Sequence, residues 1–144
     1  MTLNIKYWSG AGKLLYCFCD IVSTLLMRNI LSKTTKLKTK DVLHLLCFWI
    51  LNPIVIYVTV HGYEVPIEVM LIIFVLCLLI HRKISFAGIF LGLAIHIDAH
   101  LIVCVLPIFL WIDYRRKRKV TKNRLKFLFF VLLIFFVLLW FFYM

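Results

Sequence analysis

Apolar residues fall in six runs, at about 14–31, 42–60, 67–80, 84–97, 101–112 and 127–143, separated by short polar or basic breaks. Runs of this length and apolarity predict membrane helices rather than amphipathic helices or alternating strands. The sixth run is the most apolar, whereas the first is interrupted by Asp20, the second by Asn52-Pro53 and the fifth by Pro107. Several runs are shorter than the roughly 20 residues of a straight span. These are expected to extend into flanking polar residues or to form half-buried, re-entrant pieces. The pattern therefore predicts an all-α, polytopic integral membrane protein. Residues 1–144 would form one transmembrane region with about six transmembrane or re-entrant helices.

The breaks differ in kind, and that difference orients the chain. Arg28, Lys33, Lys36, Lys38 and Lys40 lie in the first break, Arg82 and Lys83 in the third, and eight basic residues at 115–126 in the fifth. These are 15 of the 17 Lys and Arg. By the positive-inside rule, the three basic loops are cytosolic. The alternate loops, 61–66 and 98–100, contain neither Lys nor Arg and are expected on the luminal side, together with both termini. The first run has a basic start at Lys6 and Lys13, but Asp20 breaks it and no A-x-A cleavage site follows. It reads as a retained span and not as a signal peptide.

Composition supports this picture. Of the 144 residues, 65% are hydrophobic, and the mean hydropathy is +1.05. Soluble domains contain about 45–50% apolar residues, and disordered chains have few aromatics, whereas this chain has 13 Phe, 6 Tyr and 4 Trp. The net charge of +11 would suggest nucleic acid in a soluble protein. Here the charges mark topology and attract anionic lipids, so membrane lipids are expected partners and nucleic acid is not. The five cysteines sit in or beside apolar runs with no CxxC pair and read as small packing residues.

Few residues remain for chemistry. Asp20 costs about 2.5–3.5 kcal/mol at a helix centre on insertion scales, so it is expected to face other helices, with Ser23 and Thr24 as nearby hydrogen-bonding groups. Asn52, next to Pro53, either shapes a kink or supports a site. His61 and Glu64, on either side of Gly62 and Tyr63, suit acid–base or cation chemistry, or simply form a solvated turn. On a continuous helix, His96 and His100 would share a face, a spacing that can bind zinc. No HExxH surrounds them, and no metal or cofactor is assigned. Gly88 and Gly92 form a G-x-x-x-G suited to close helix packing. Glu68 and Asp98 complete the polar set near the luminal loops.

These blocks carry a resemblance. Trp49-Ile50-Leu51-Asn52-Pro53, the His61-Gly62 turn, the stretch from Ala87 to His96 and Leu106-Pro107 occur in this order between basic loops. The order resembles the middle of the polyprenyl-phosphate-sugar-dependent glycosyltransferases of the C superfamily. Within it, the likeness is to the PIG-M type catalytic subunit of GPI mannosyltransferase I, with its W-x-L-N-P, R-G-N-x-E-P and G-L-x-x-H-F blocks. Asn52, Pro53, Gly62, Pro66, Gly92 and His96 match. His61, Tyr63 and Val65 stand where the family has arginine, asparagine and glutamate. Asp98 stands where the family has a basic residue.

The resemblance implies an endoplasmic-reticulum membrane enzyme. It would move mannose from dolichol-phosphate-mannose onto a glycosylphosphatidylinositol (GPI) precursor at the luminal face, with an accessory membrane subunit as a further partner. It also implies His61, Glu64 and His96 as substrate-lining residues, with Asn52 shaping the end of its helix. The family's catalytic acids lie N-terminal to the matched stretch, so the chain is expected to be a fragment or reduced relative that is not active alone. The alternatives are an inactive assembly subunit and a small transporter subunit using Asp20, Glu68, Asp98 and His96 as a polar pathway.

Overall fold

In the computed structural model, residues 5–35, 37–114 and 120–143 are described, and the regular elements among them are all helical. They are α1 (Ile5–Thr34), α2 (Thr39–Ile50), α3 (Pro53–His61), α4 (Val65–Ile80), α5 (Ile84–Ile97), α6 (Val105–Tyr114) and α7 (Val120–Tyr143), with a 3-10 segment at Ala99–Cys104 ahead of α6. Lys36 and the basic residues 115–119 lie outside the described residues. The chain divides into two units, Met1–Ile73 and Phe74–Met144, with the boundary inside α4.

The first unit is built around α1, which packs on α2 and α3. Its outward stripe is apolar, with Leu14, Phe18, Ile21 and Leu25 each more than half exposed. Its inward stripe is small or polar, with Cys19, Ser23 and Thr24 buried and Asp20 half-buried among them. A water-soluble helix has the opposite arrangement. In lipid, apolar tails solvate the outside, and small polar residues let helices approach and bond. The apolar run at 42–60 is not one helix. Pro53 has no N–H, and α2 and α3 meet at an angle of 46°. The break is well bonded. Leu51 N–H donates to the Cys47 carbonyl at 2.9 Å and Asn52 N–H to that of Trp49 at 3.2 Å, while Asn52 Oδ1 accepts from Ile54 N–H at 2.9 Å.

The second unit is dominated by α5 lying along α7. Ala87, Gly88, Leu91, Gly92, Ala94 and Ile95 form the buried face of α5. A Cβ on Gly88 would sit 2.9 Å from the Phe127 carbonyl oxygen, and one on Gly92 would sit 2.9 Å from that of Val131. Only glycine permits this approach. Phe127 is fully buried against the face, and Phe74 and Phe90 meet edge to face with centroids 4.8 Å apart. The G-x-x-x-G is a helix-packing surface, as its spacing suggested.

Two helices end in the same way. At the end of α3, Tyr63 N–H donates to the Val58 carbonyl and Gly62 N–H to that of Thr59, both at 3.2 Å. At the end of α4, Lys83 N–H donates to the Leu78 carbonyl at 2.9 Å and Arg82 N–H to that of Leu79 at 3.0 Å. Both are Schellman closures, which need a left-handed residue. Gly62 has φ 79° and Arg82 has φ 64°. For Gly62 this conformation is free of Cβ strain, whereas for Arg82 it costs roughly 1–2 kcal/mol.

Of the expected six or so transmembrane or re-entrant helices, two or three are long enough to cross a membrane. α1 contains a 25-residue apolar stretch (Gly10–Thr34) and α7 a 19-residue one (Asn123–Phe141), each long enough to cross a membrane, and the bent α2–α3 pair makes a third if it acts as one span. The helices Val65–Ile80, Ile84–Ile97 and Ala99–Ile112 are shorter. These two or three candidate crossings, with only helical elements among the described residues, mark an integral membrane protein. The expected fifth block at 101–112 is divided between the 3-10 segment and α6.

The glycine contacts can be tested directly. Gly88→Ala and Gly92→Ala are each expected to lower stability by about 1–3 kcal/mol, the usual cost of overpacking. Gly10→Ala and Gly12→Ala, whose added Cβ meets nothing within 4 Å, should be neutral or gain up to about 1 kcal/mol of helix propensity. Thermal unfolding in detergent, followed by circular dichroism, compares the four. Equal effects in both pairs would contradict the packing described.

Candidate functional site

The polar stripe of α1 meets α3 at one bond. Thr59 Oγ1 donates to Asp20 Oδ2 at 2.5 Å, joining residues 39 apart in the chain. Thr59 is buried, and its Oγ1 also lies 2.9 Å from the Val55 carbonyl oxygen. A hydroxyl has a single proton, so the two acceptors share it. Thr24 does not reach the carboxylate, because its Oγ1 bonds the Asp20 backbone carbonyl at 2.8 Å. Ser23 Oγ is buried with no hydrogen-bond partner among the described residues. Thr59, the partner Asp20 requires, is absent from the residues that the sequence singles out. It is one small polar residue inside an apolar run, and the only signal for it is the need of Asp20 for some partner.

Two cavities flank this bond. One, of about 240 Å³, runs between Cys17, Ile21, Ile50 and Val60. The other, of about 220 Å³, lies beside Asn52, Ile54, Pro66 and Val69. Asp20, Trp49, Val55 and Thr59 line both. The Trp49 indole Nε1 is buried with no hydrogen-bond partner among the described residues. A buried donor without a partner is uncommon and costly. Trp49 as a residue lines both cavities, which are largely apolar. Asn52 lines the second cavity, but its carboxamide oxygen is committed to capping α3. It therefore shapes the helix break and also borders a space.

His61 closes α3 in a small aromatic cluster. Its Nδ1 lies 2.9 Å from the Tyr57 carbonyl oxygen. Its ring lies 4.0 Å from that of Tyr57 and 6.3 Å from that of Tyr63, centroid to centroid, the latter pair nearly parallel. All three rings are exposed, as is Glu64, and the Gly62 turn is backed by Tyr16. Exposed stacked rings suit a sugar face or a lipid–water boundary.

The remaining predicted residues belong to the second unit. His96 is half-buried in the last turn of α5. His100 does not share a helical face with it. α5 ends at Ile97, and Asp98 is extended with φ −137° and ψ 115°. Asp98 caps the 3-10 segment, its Oδ1 accepting from His100 N–H at 3.1 Å and lying 2.6 Å from His100 Nδ1. The one-turn histidine spacing that suggests a metal pair is thus replaced by a local Asp98–His100 pair.

Among known families, a model described as GPI transamidase subunit PIG-U matches residues 2–144. A protein named GPI mannosyltransferase 1 from Saccharomyces cerevisiae is 30% identical over 118 residues, covering 82% of this chain and 29% of that protein. Its namesake from Candida albicans is 34% identical over 99 residues, covering 68% and 25%. That from Debaryomyces hansenii is 29% identical over 139 residues, covering 88% and 34%. The chain thus spans between 25% and 34% of the length of these relatives. No solved structure matches it.

The bond between Asp20 and Thr59 predicts a specific energetic coupling. Thr59→Val, nearly equal in volume, should lower stability by about 1–3 kcal/mol by leaving a half-buried carboxylate without its donor. In a double-mutant cycle, Asp20→Ala and Thr59→Val should couple by about 0.5–3 kcal/mol. Asp20→Ala and Thr24→Val, which share only a backbone carbonyl, should couple much less. Denaturant unfolding in detergent measures both cycles, and zero coupling in the first would refute the bond.

Proposed function

The chain belongs to the PIG-U family, and on that premise we propose that it is membrane-embedded machinery for handling a GPI precursor, as part of a mannosyl-transfer system. The reaction would pass mannose from dolichol-phosphate-mannose to the glycosylphosphatidylinositol precursor. An acceptor hydroxyl attacks the anomeric carbon with inversion, and the lipid phosphate departs. Such a site needs a base for the hydroxyl and donors for the leaving phosphate. The observation that carries the reading is the W-x-L-N-P block. Its Trp49 supplies a buried donor with no partner among the described residues, and its Asn52 borders the same apolar cavity beside Asp20 and Thr59. A polyisoprenoid chain suits the apolar walls, beside which Asp20, Thr59 and Asn52 are the polar side chains.

In this reading the chain lies in the endoplasmic-reticulum membrane, with the three basic loops cytosolic and 61–66 and 98–100 luminal. The shorter helices act as re-entrant or partial crossings, which brings the expected number of membrane elements to about six. His61 and Glu64, beside the aromatic cluster, line the substrate path in the first unit, where Asn52 sets the break before α3, and His96 in the second unit keeps the substrate-lining role that the resemblance implies. An accessory membrane subunit completes the assembly. A second reading is favoured by the family description itself, which names a GPI transamidase subunit. There the chain would hold the GPI lipid without transferring sugar.

A chimera separates the two. This chain is exchanged for the matched segment of the Saccharomyces cerevisiae mannosyltransferase, and the chimera is expressed in cells lacking that enzyme. Transfer of labelled mannose to the GPI precursor is expected to recover. Within an active chimera, Glu64→Gln and His96→Ala should each reduce transfer at least tenfold, an effect of about 1.4 kcal/mol. A correctly inserted chimera without transfer favours the second reading. Unchanged transfer in the variants removes those two residues from the site.

A further inference from the structure

The basic end of the second unit holds a cavity of about 190 Å³ where the end of α4, the start of α5, the end of α6 and the start of α7 converge. Leu79, Ile84 and Ile112 give it apolar walls, and Trp111, Arg82 and Asn123 supply its polar groups. We infer that this cavity seats the headgroup of an anionic phospholipid, with the Arg82 guanidinium and the Asn123 carboxamide on the phosphate and the acyl chains leaving along the apolar walls. The inference is independent of the mannosyl-transfer reading and concerns a different unit from the Asp20 cavities.

Charge complementarity comes first. Among the described side chains, Arg82, Lys83, Arg124 and Lys126 are the basic residues at this end, and the sequence from 113 to 122 adds six Lys and Arg against one acid, Asp113. Arg124 is turned onto the Phe109 ring, 4.9 Å from its centroid, whereas Arg82 borders the cavity. Anionic headgroups are drawn to such clusters, and basic pockets between membrane helices bind them. α5 adds to this, because its N-cap residue, Lys83, makes no side-chain capping bond and its first residue, Ile84, lines the cavity. Unbonded N–H groups at a helix start favour an anion.

The backbone at Arg82 is the second observation. The same Schellman closure uses glycine at position 62, where φ is 79°, and arginine at position 82, where φ is 64°. Glycine would relieve the left-handed strain, yet an arginine occupies the position, and that residue borders the cavity. Strain of this kind, held at one residue beside a pocket, points from backbone to side-chain function. The mixed lining points to a lipid and not to a free anion. The volume is below the roughly 300 Å³ at which drug-sized pockets begin, so it suits a phosphate and its glycerol but not a whole lipid. Trp111 suits the boundary between chain and headgroup.

The same strain supplies a clean test, because Arg82→Gly removes the guanidinium while easing the backbone. The chain is reconstituted in nanodiscs of phosphatidylcholine, with or without phosphatidylserine, released into mild detergent and weighed by native mass spectrometry. The wild-type chain should retain one phosphatidylserine and exclude phosphatidylcholine. Arg82→Gly and Asn123→Leu should each lower retention about tenfold or more, the scale of losing one hydrogen bond to a charged group. The thermal midpoint of Arg82→Gly in phosphatidylcholine should equal or exceed that of the wild type. Arg28→Gln, a basic residue of the first unit, should retain the lipid. Equal retention of both lipids, unchanged retention in Arg82→Gly, or displacement of the lipid by inorganic phosphate alone would overturn the assignment.

Discussion

The first unit depends on Asp20 finding a partner inside the membrane. A carboxylate in the middle of an apolar helix is costly in lipid, and a hydrogen-bond donor from a neighbouring helix offsets that cost. Thr59 meets the need from α3, and much else depends on that bond. α1 must turn its Cys19, Ser23 and Thr24 stripe inward and leave leucines and phenylalanines facing lipid. α3 must present Thr59 to α1, which the bend at Asn52-Pro53 allows independently of the direction of α2.

The two units join their helices by different means. In lipid the hydrophobic effect gives helices little reason to associate, so contact must come from polar bonds or from close packing. The first unit uses a polar bond. The second uses glycine, bringing the α5 backbone against the carbonyls of Phe127 and Val131, where no Cβ would fit. Neither device requires a large buried side chain between the helices. Both are nevertheless sensitive to single-atom changes at a few positions.

Much of this is legible in the sequence, and the exceptions have physical causes. The apolar runs mark the helices because lipid selects composition directly, and the run at 84–97 coincides with α5. Pro53 and Gly62 mark a break and an end because each restricts or frees the backbone in a known way. The end of α4 is not legible, because an arginine stands where the closure prefers glycine. The end of α5 at Ile97 falls where the apolar run stops, and Asp98 is a good cap for the 3-10 segment after it. In the candidate site, the kink at Asn52 is readable from its proline neighbour. The pairing of Asp20 with Thr59 is hidden, since a contact 39 residues apart leaves no periodic trace.

The glycine contact on α5 also settles how deep that helix can lie. Its 14 residues span about 21 Å, well short of the roughly 30 Å of hydrocarbon in a bilayer, so α5 cannot register itself between two interfaces. The 24 residues of α7 span about 36 Å and can. With Gly88 seated on Phe127 and Gly92 on Val131, the vertical position of α5 is inherited from its longer neighbour. His96, one turn beyond Gly92, is carried at a fixed level that α7 dictates. The longer helix thus acts as a depth gauge for a residue it does not itself supply.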